Sequence, residues 1–440
     1  MSNIGAIQKV HFIGIGGIGM SALARLFVHE GKVVSGSDAA ASDNTKALGA
    51  AGVTLTYGHT AATIADDVDL VIYTEAISKE DNPEYVRAME QGIQTINYFE
   101  ALGLVANEYY VIAVSGTHGK TTTTAMLADI FEAADLDPSV VVGSLRGKTG
   151  SNYRAGKSKY FIVEACEYKR DFLHLEPDVL VITNLEHEHV DYYADLADVQ
   201  DAFKTLAAKV PEEGAVVTNV SDTNITPILA GLSAQVIDYK EYVDPMLNLE
   251  QPGLHNLMNA AAGAAVAAHE GIDREVVKAA LEEFSGTWRR FEYKGMVNPN
   301  ASDDGRTDGA PVYDEYAHHP TEVAAAIETA RTKCADKKLT VIFQPHTFSR
   351  TEGLFDGFAS ALAKADTVIL APIYAARKEE SSGVSSAQLA EAVVAAGGHA
   401  TYIETFDEII ETVKASVSGG DVVMVMGAGD ITQVASRLTE

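Results

Sequence analysis

Two glycine-rich loops, each set between an apolar run and a helix-like stretch, constrain this chain more than any other feature. The first is His11-Phe-Ile-Gly14-Ile-Gly16-Gly17-Ile-Gly19-Met20. Its G-x-G-x-x-G spacing permits a tight turn and lets a diphosphate approach backbone N–H groups at a helix start. Asp38 follows in Val33-Val-Ser-Gly-Ser37-Asp38, where a second strand would end. The pattern fits any nucleoside diphosphate as well as a dinucleotide, and its bland alternative is a tight strand–helix turn with no ligand. The second loop is Gly116-Thr117-His118-Gly119-Lys120-Thr121-Thr122, after the run Tyr110–Val114. Its amides can wrap phosphate oxygens, Lys120 can reach the outer phosphates, and the Thr121 hydroxyl is placed for Mg²⁺. It departs from the usual phosphate loop by having Val114 where a glycine normally begins the motif. A dehydrogenase needs only the first loop and a simple ATPase only the second. Together they point to a nucleotide-linked substrate on one domain and ATP on the next.

The rest of the chain alternates short apolar runs with amphipathic stretches. Strands are expected at Val10–Ile13, Leu70–Tyr73, Tyr110–Val114, Tyr160–Glu164, Val179–Thr183, Leu339–Phe343, Thr367–Leu370 and Val422–Met426. Helices are expected around Met20–His29, Thr122–Ala133, Asn256–Ala268 and Gly357–Ala365. Such alternation predicts α/β domains with mainly parallel sheets. The pattern restarts near residue 107, and a polar, turn-rich run between Val297 and Ala310 reads as a loop near a domain junction. Three domains are expected, spanning 1–107, 108–292 and 293–440.

Composition narrows the function. Among 440 residues, 62 acidic and 33 basic side chains give a net charge of −29. That excess repels a nucleic-acid backbone, so phosphate binding must be local and no nucleic-acid partner is expected. Two cysteines, Cys166 and Cys334, are too few for a disulfide framework and fit a reducing compartment. The first residues carry no signal-peptide pattern, and no apolar run approaches a membrane span. A cytoplasmic protein is expected.

Two acidic strand ends supply candidate metal ligands. Glu164-Ala-Cys-Glu167 closes one apolar run and Asn184-Leu-Glu-His187-Glu188-His189 closes the next. In an open parallel sheet both ends face the ligand crevice, so Glu164 and His189 can converge on a cation near the second loop. A solvated polar loop is the bland reading of His187–His189, and zinc a further one, although zinc wants three or four close ligands. An arginine pair, Arg289-Arg290, offers guanidinium groups suited to phosphate oxygens.

The segment Gly116–Thr121 resembles the phosphate loop of the Mur ligases and their folylpolyglutamate synthetase relatives. His11–Ser21 and Ser35–Asp38 resemble the start of the alanine-adding branch, and the resemblance runs through essentially the whole chain. It implies a Rossmann-like UDP-binding domain, a central P-loop-type ATPase domain and a C-terminal Rossmann-like α/β domain that closes over ATP and the amino acid. It implies ATP and Mg²⁺ (or Mn²⁺) as cofactors, UDP-N-acetylmuramate and L-alanine as partners, and a monomer or homodimer.

Carried over residue by residue, the resemblance assigns Gly14, Gly16, Gly17, Gly19, Met20, Ser37 and Asp38 to the UDP substrate. It assigns Gly116, Thr117, His118, Gly119, Lys120, Thr121 and Thr122 to ATP. His255, Asn256 and Asn259 of the His-Asn-x-x-Asn motif join them, with helix capping as the other reading of Asn256. Arg290 is chosen over Arg289 for ATP, though the residues before it depart from the family form. Thr121, Glu164 and His189 become the metal ligands. Lys204 matches a position that is carbamylated in sister ligases, and reads here as an exposed helix lysine. Asp314 would contact the ATP ribose. His318, His346 and Arg350 would receive the amino acid. Many relatives carry Arg after the histidine matching His346, and this chain has Thr347. Lys120, Glu164, His189, Arg290, His318 and Arg350 would form the catalytic set, in a site completed by domain closure. Alternative functions are a murein peptide ligase attaching a tripeptide to the same acceptor, an NAD-dependent dehydrogenase, and a nucleotide-binding regulator without catalysis.

Overall fold

A computed structural model describes residues 4–190, 192–297, 309–334, 337–375 and 383–440. The strands are β1 (Lys9–Ile13), β2 (Val33–Asp38), β3 (Thr54–Tyr57), β4 (Leu70–Tyr73), β5 (Gln94–Asn97), β6 (Tyr110–Ser115), β7 (Ser139–Arg146), β8 (Ser151–Arg154) and β9 (Tyr160–Glu164). They continue as β10 (Val179–Ile182), β11 (Ala215–Thr218), β12 (Gln235–Asp238), β13 (Glu292–Val297), β14 (Ala310–Glu315), β15 (Leu339–Phe343), β16 (Thr367–Leu370), β17 (Ala400–Tyr402) and β18 (Val422–Met426). No described helix is long and apolar enough to cross a membrane.

Three sheets result, ordered β3-β2-β1-β4-β5, β12-β11-β10-β6-β9-β7-β8 and β13-β14-β18-β15-β16-β17. Pairing is parallel throughout the first. The second and third each carry one antiparallel pair at an edge, β7–β8 and β13–β14. The α/β architecture expected from the sequence is therefore present. The chain divides into two compact units. One comprises Met1–His187, Asp195–Leu247 and Met258–Phe284 and holds the first two sheets. The other comprises Glu188–Ala194, Asn248–Leu257 and Ser285–Glu440 and holds the third.

Apolar runs become strands because each sheet is covered on both faces. In the third, Val341 and Phe343 of β15 join one buried cluster with Val422, Met424 and Met426 of β18. Ile342, Val423 and Val425 face the other way and join a second. Side chains alternate across a strand, so a strand buried on both faces reads as a continuous apolar run.

Two expectations change. The segment between Val297 and Ala310 joins the paired strands β13 and β14, whose register places Val297 opposite Ala310. It links the two arms of an antiparallel pair within one sheet; its polar residues 298–308, like the side chain of Cys334, lie outside the described residues. The helix expected over Gly357–Ala365 runs Phe355–Leu362.

Candidate active site

In the first sheet the chain reverses its winding between β1 and β4, the place where open parallel sheets bind ligands. The first glycine loop leaves β1 there. Gly14 has φ 79°, and a Cβ on it would lie 2.4 Å from Thr74 Cγ2, just past β4, so only glycine fits. The Gly14 and Ile15 amides donate to the Ser37 carbonyl, each at 2.9 Å. The Gly16 amide donates to Asp38 Oδ2 at 2.7 Å. The helix Ile18–His29 begins at the loop with Gly17 as its N-cap and no side-chain cap, leaving a glycine-lined helix start. Met20 is buried behind it.

The second loop leaves β6 between its neighbours β9 and β10. Gly116 has φ 128°, and a Cβ there would sit 2.2 Å from Thr183 Oγ1. Asn184, directly after Thr183, holds the loop from both sides: its Oδ1 accepts the His118 amide at 2.9 Å and its Nδ2 donates to the His118 carbonyl at 2.9 Å. The Thr117 amide donates to the Asn184 carbonyl, and Thr117 Oγ1 accepts the Glu186 amide at 2.8 Å. His118 Nε2 lies 3.7 Å from Glu186 Oε2. Gly119, at φ 85°, caps the helix Lys120–Ala133, and Asn259 Oδ1 sits 2.3 Å from where its Cβ would be.

Charge is concentrated at this helix start. Lys120 Nζ donates to the carbonyls of Gly116 (2.6 Å) and Thr117 (3.0 Å) and pairs with Glu167 Oε2 at 3.0 Å. Thr121 Oγ1 donates to Glu164 Oε1 at 3.0 Å, and the Gly143 amide donates to Glu164 Oε2 at 2.7 Å. Thr122 is buried. Lys120, Thr121 and Glu164 are thus brought together as the sequence predicted. A hydroxyl and a carboxylate are hard oxygen donors, so Thr121 and Glu164 fit Mg²⁺. His189 belongs to the other unit, with φ 55°. Lys204 is exposed on the helix Leu196–Ala207.

Tyr98 packs at the first loop. A Cβ on Gly19 would lie 2.8 Å from its ring, so the start of the first loop's helix packs on it. The same side chain is half-buried, and burial of its hydroxyl, with the Glu164 charge, pushes that group above its ordinary range. The hairpin β7–β8 also reaches the first loop, where Asn152 Nδ2 donates to the Ile18 carbonyl at 2.5 Å. Neither Tyr98 nor Asn152 is marked by any glycine or charge pattern. Asn184 had a visible signal, lying at a strand end inside the acidic motif.

In the second unit, Arg289 and Arg290 separate sharply. Arg289 is buried, 3.4 Å from Asp314 Oδ1, and donates to the carbonyls of Gly429 (3.1 Å) and Gly427. Arg290 keeps 25% of its side chain exposed, 5.1 Å above the Tyr316 ring and 4.0 Å from Glu322. Asp314 of β14 is the acid beside Arg289. Its side chain is fully buried, with one oxygen toward Arg289 and the other accepting from Thr432 Oγ1 at 2.5 Å. Asn256 donates to the Gln251 carbonyl, and His255 is exposed near Gly253.

The three residues expected at the amino acid come together. Arg350 Nη1 donates to His346 Nδ1 at 3.0 Å, and its Nη2 lies 3.5 Å from Glu188. His318 Nε2 lies 3.8 Å from the same carboxylate, and its ring centre is 6.0 Å from that of His346. Burial, with the Arg350 charge, holds the His318 imidazole below its ordinary range against Glu322 and Glu188. Tyr374 stacks on His346 at 5.6 Å and 17°, and no motif marks it. Thr347 takes φ 68° and caps the short helix Phe348–Gly353 by accepting the Arg350 amide.

Comparison with known proteins adds to this geometry. Residues 9–110 match the Mur ligase family, catalytic domain; residues 114–245 the Mur ligase middle domain; and residues 301–429 the Mur ligase, glutamate ligase domain. The chain is 39% identical to a UDP-N-acetylmuramate–L-alanine ligase of Agathobacter rectalis, covering 98% of this chain and 97% of that one. It is equally 39% identical to the ligase of the same name from Clostridium novyi, at 98% and 97% coverage. Among solved structures it is similar to the UDP-N-acetylmuramate–alanine ligase of Thermotoga maritima, with a TM-score of 0.78, 29% identity and 98% of each chain covered. A murein peptide ligase of Psychrobacter arcticus is also similar, with a TM-score of 0.70 and 26% identity over 98% of each chain.

Proposed function

The chain belongs to the Mur ligase family, and from that premise we infer that it is an ATP-dependent ligase joining L-alanine to UDP-N-acetylmuramate. The observation that carries this is the pair of loops in one unit: a glycine-lined helix start suited to a diphosphate, and a Lys120–Thr121 helix start bonded to Glu167 and Glu164. A dehydrogenase has no use for the second loop.

A free carboxylate is a poor acylating agent. Its oxygen attacks the γ-phosphorus of ATP, the bond to ADP breaks, and the acyl phosphate forms. The amine of L-alanine then attacks the acyl carbon and phosphate leaves. The protein's part is positioning and charge stabilisation. Amides of residues 116–120 cradle phosphate oxygens, and Lys120 exchanges its carbonyl and Glu167 partners for them. Thr121 and Glu164 would hold Mg²⁺, which would supply charge neutralisation of the phosphates. Arg290, left partly exposed while Arg289 is spent on the fold, is the guanidinium for ATP. Asn259 bears on the loop through Gly119, and His255 and Asn256 are proposed as further ATP-binding residues.

In the second unit, Arg350 suits the amino-acid carboxylate, with His346 fixing its guanidinium. His318, kept neutral, can take the proton that the ammonium must lose before attack. Gly14, Gly16, Gly17 and Gly19, with Ser37 and Asp38, receive the UDP moiety. Three working domains are proposed, bounded at 1–107, 108–292 and 293–440.

The test is phosphate release from ATP and Mg²⁺ with UDP-N-acetylmuramate, with and without L-alanine. Release that needs both, with a product heavier by one alanyl residue, supports the reading. Release with an L-Ala–D-Glu–diaminopimelate tripeptide but not with alanine makes it a murein peptide ligase instead.

A further inference from the structure

Two residues just past Glu167 hold an unusual backbone. Lys169 (φ 55°, ψ 19°) and Arg170 (φ 61°, ψ 21°) lie side by side in the left-handed region, inside the short helical turn Tyr168–His174. A Cβ makes that region costly, and its ordinary use is a single Gly, Asn or Asp. A consecutive Lys-Arg pair persists there only where its surroundings hold it.

The hold is ionic. Arg170 Nη2 donates to Asp198 Oδ1 at 2.6 Å and to the Asp198 carbonyl at 3.3 Å, and Nη1 donates to Asp201 Oδ2 at 3.0 Å. Both aspartates lie on the helix Leu196–Ala207. Lys169 Nζ lies 3.7 Å from Glu75, which follows β4 of the first sheet. Arg170, Asp198 and Asp201 are all partly exposed. Ion pairs this open to water add little to stability, so they hold a shape more than they stabilise the fold.

What the turn holds is Glu167. The Arg170 amide donates to the Glu167 carbonyl at 2.9 Å, and the Phe172 amide donates to the Cys166 carbonyl at 3.2 Å, which closes the chain behind that acid. The buried Glu167 carboxylate takes Lys120 Nζ on both oxygens, at 3.1 Å and 3.0 Å. A lysine stem is flexible, so the direction of its ammonium depends on the group it meets. A guanidinium is the opposite, a rigid fork that can fix a turn on two carboxylates at once.

We propose that Arg170 is a positioning residue: anchored on Asp198 and Asp201, it keeps the strained turn closed and so aims the Glu167 carboxylate at Lys120, setting the ammonium in place before the triphosphate arrives. The inference rests on the reading of Lys120 as a phosphate ligand in an ATP-dependent ligase. Its consequence falls on the chemical step. A loosened Glu167 competes less with the phosphates as well as aiming less, so ATP binding in the ground state changes little. The charge that develops in the transition state loses a preorganised partner.

The test is steady-state phosphate release by the full chain with ATP, Mg²⁺, UDP-N-acetylmuramate and L-alanine, with the melting of each variant followed by circular dichroism. Arg170→Ala should lower kcat about tenfold, the lower end of what removing an outer-layer partner does at metal sites. KM for ATP and the melting temperature should stay near the wild-type values. Asp198→Asn combined with Asp201→Asn leaves Arg170 in place and should reproduce the loss. Arg170→Gly adopts the left-handed backbone without strain, so it should keep more activity than Arg170→Ala. Arg170→Ala added to Glu167→Gln should cost nothing further, because the two residues act as one unit. Losses that multiply in that double variant, or an Arg170→Ala enzyme with wild-type kcat, would overturn the proposal and leave the ligase reading intact. A wild type that releases no phosphate with both substrates present defeats the ligase reading, and the inference falls with it.

Discussion

At Lys120 the ammonium is held by two carbonyls and a carboxylate, all of which a triphosphate can replace. Lys120→Gln keeps the stem and removes the charge. Its phosphate release should fall at least about 100-fold, the usual effect of losing one transition-state contact, with the melting temperature little changed. Asp171 makes a different prediction. It is buried in the first unit, and burial followed by the Glu75 charge pushes its carboxyl up to about 6. The folded chain therefore holds this proton more tightly than the unfolded chain, where aspartate titrates near ~4. The stability this group contributes is full below about pH 4 and is lost as pH rises through about 6. Asp171→Asn should melt like the wild type near pH ~4 and higher than it near pH ~8, as read by circular dichroism. Motif reading found residues whose chemistry is local, such as Lys120, Thr121 and Glu164. The partners of Asp314 were not legible, because whether an acid faces solvent or Arg289 depends on a partner distant in sequence.

The strand–loop–helix elements were the most legible, since doubly covered strands such as β6, β10 and β15 are uninterrupted apolar runs. Edge strands were not. β5 reads Gln-Thr-Ile-Asn and is only half-buried throughout, so it carries no run to detect. The hairpin β7–β8 breaks the parallel pattern, and its value is tertiary, through Asn152 against the first helix. The caps are more exacting than the strands. Gly119 combines a left-handed φ of 85° with Asn259 pressed against it. Gly119→Ala should cost about 2 kcal/mol from backbone strain alone, with more from the clash. It should weaken ATP binding in a calorimetric titration while leaving UDP binding at the other loop intact.

Across the whole molecule, a surplus of acid sets the electrostatics. With 62 acidic and 33 basic side chains, the compact chain repels itself. Salt shortens the reach of that repulsion, from about 30 Å at 0.01 M to about 10 Å at 0.1 M. The melting temperature should therefore rise as KCl goes from about 0.01 to about 0.3 M; a flat or falling curve would mean that local ion pairs outweigh the net charge. The topology of the third sheet bears on how the chain is made. Its interior strand β18 lies between β14 and β15, pairing Asp314 with Val425 and Phe343 with Met426, yet follows both by a long stretch of sequence. On a ribosome, β14 and β15 emerge with no strand between them and wait, their apolar faces uncovered, for β18 to be translated. A stalled or prematurely terminated message would release this half-built sheet, a ready target for chaperones and proteases. Quality control of this protein thus hinges on the moment at which β18 is made.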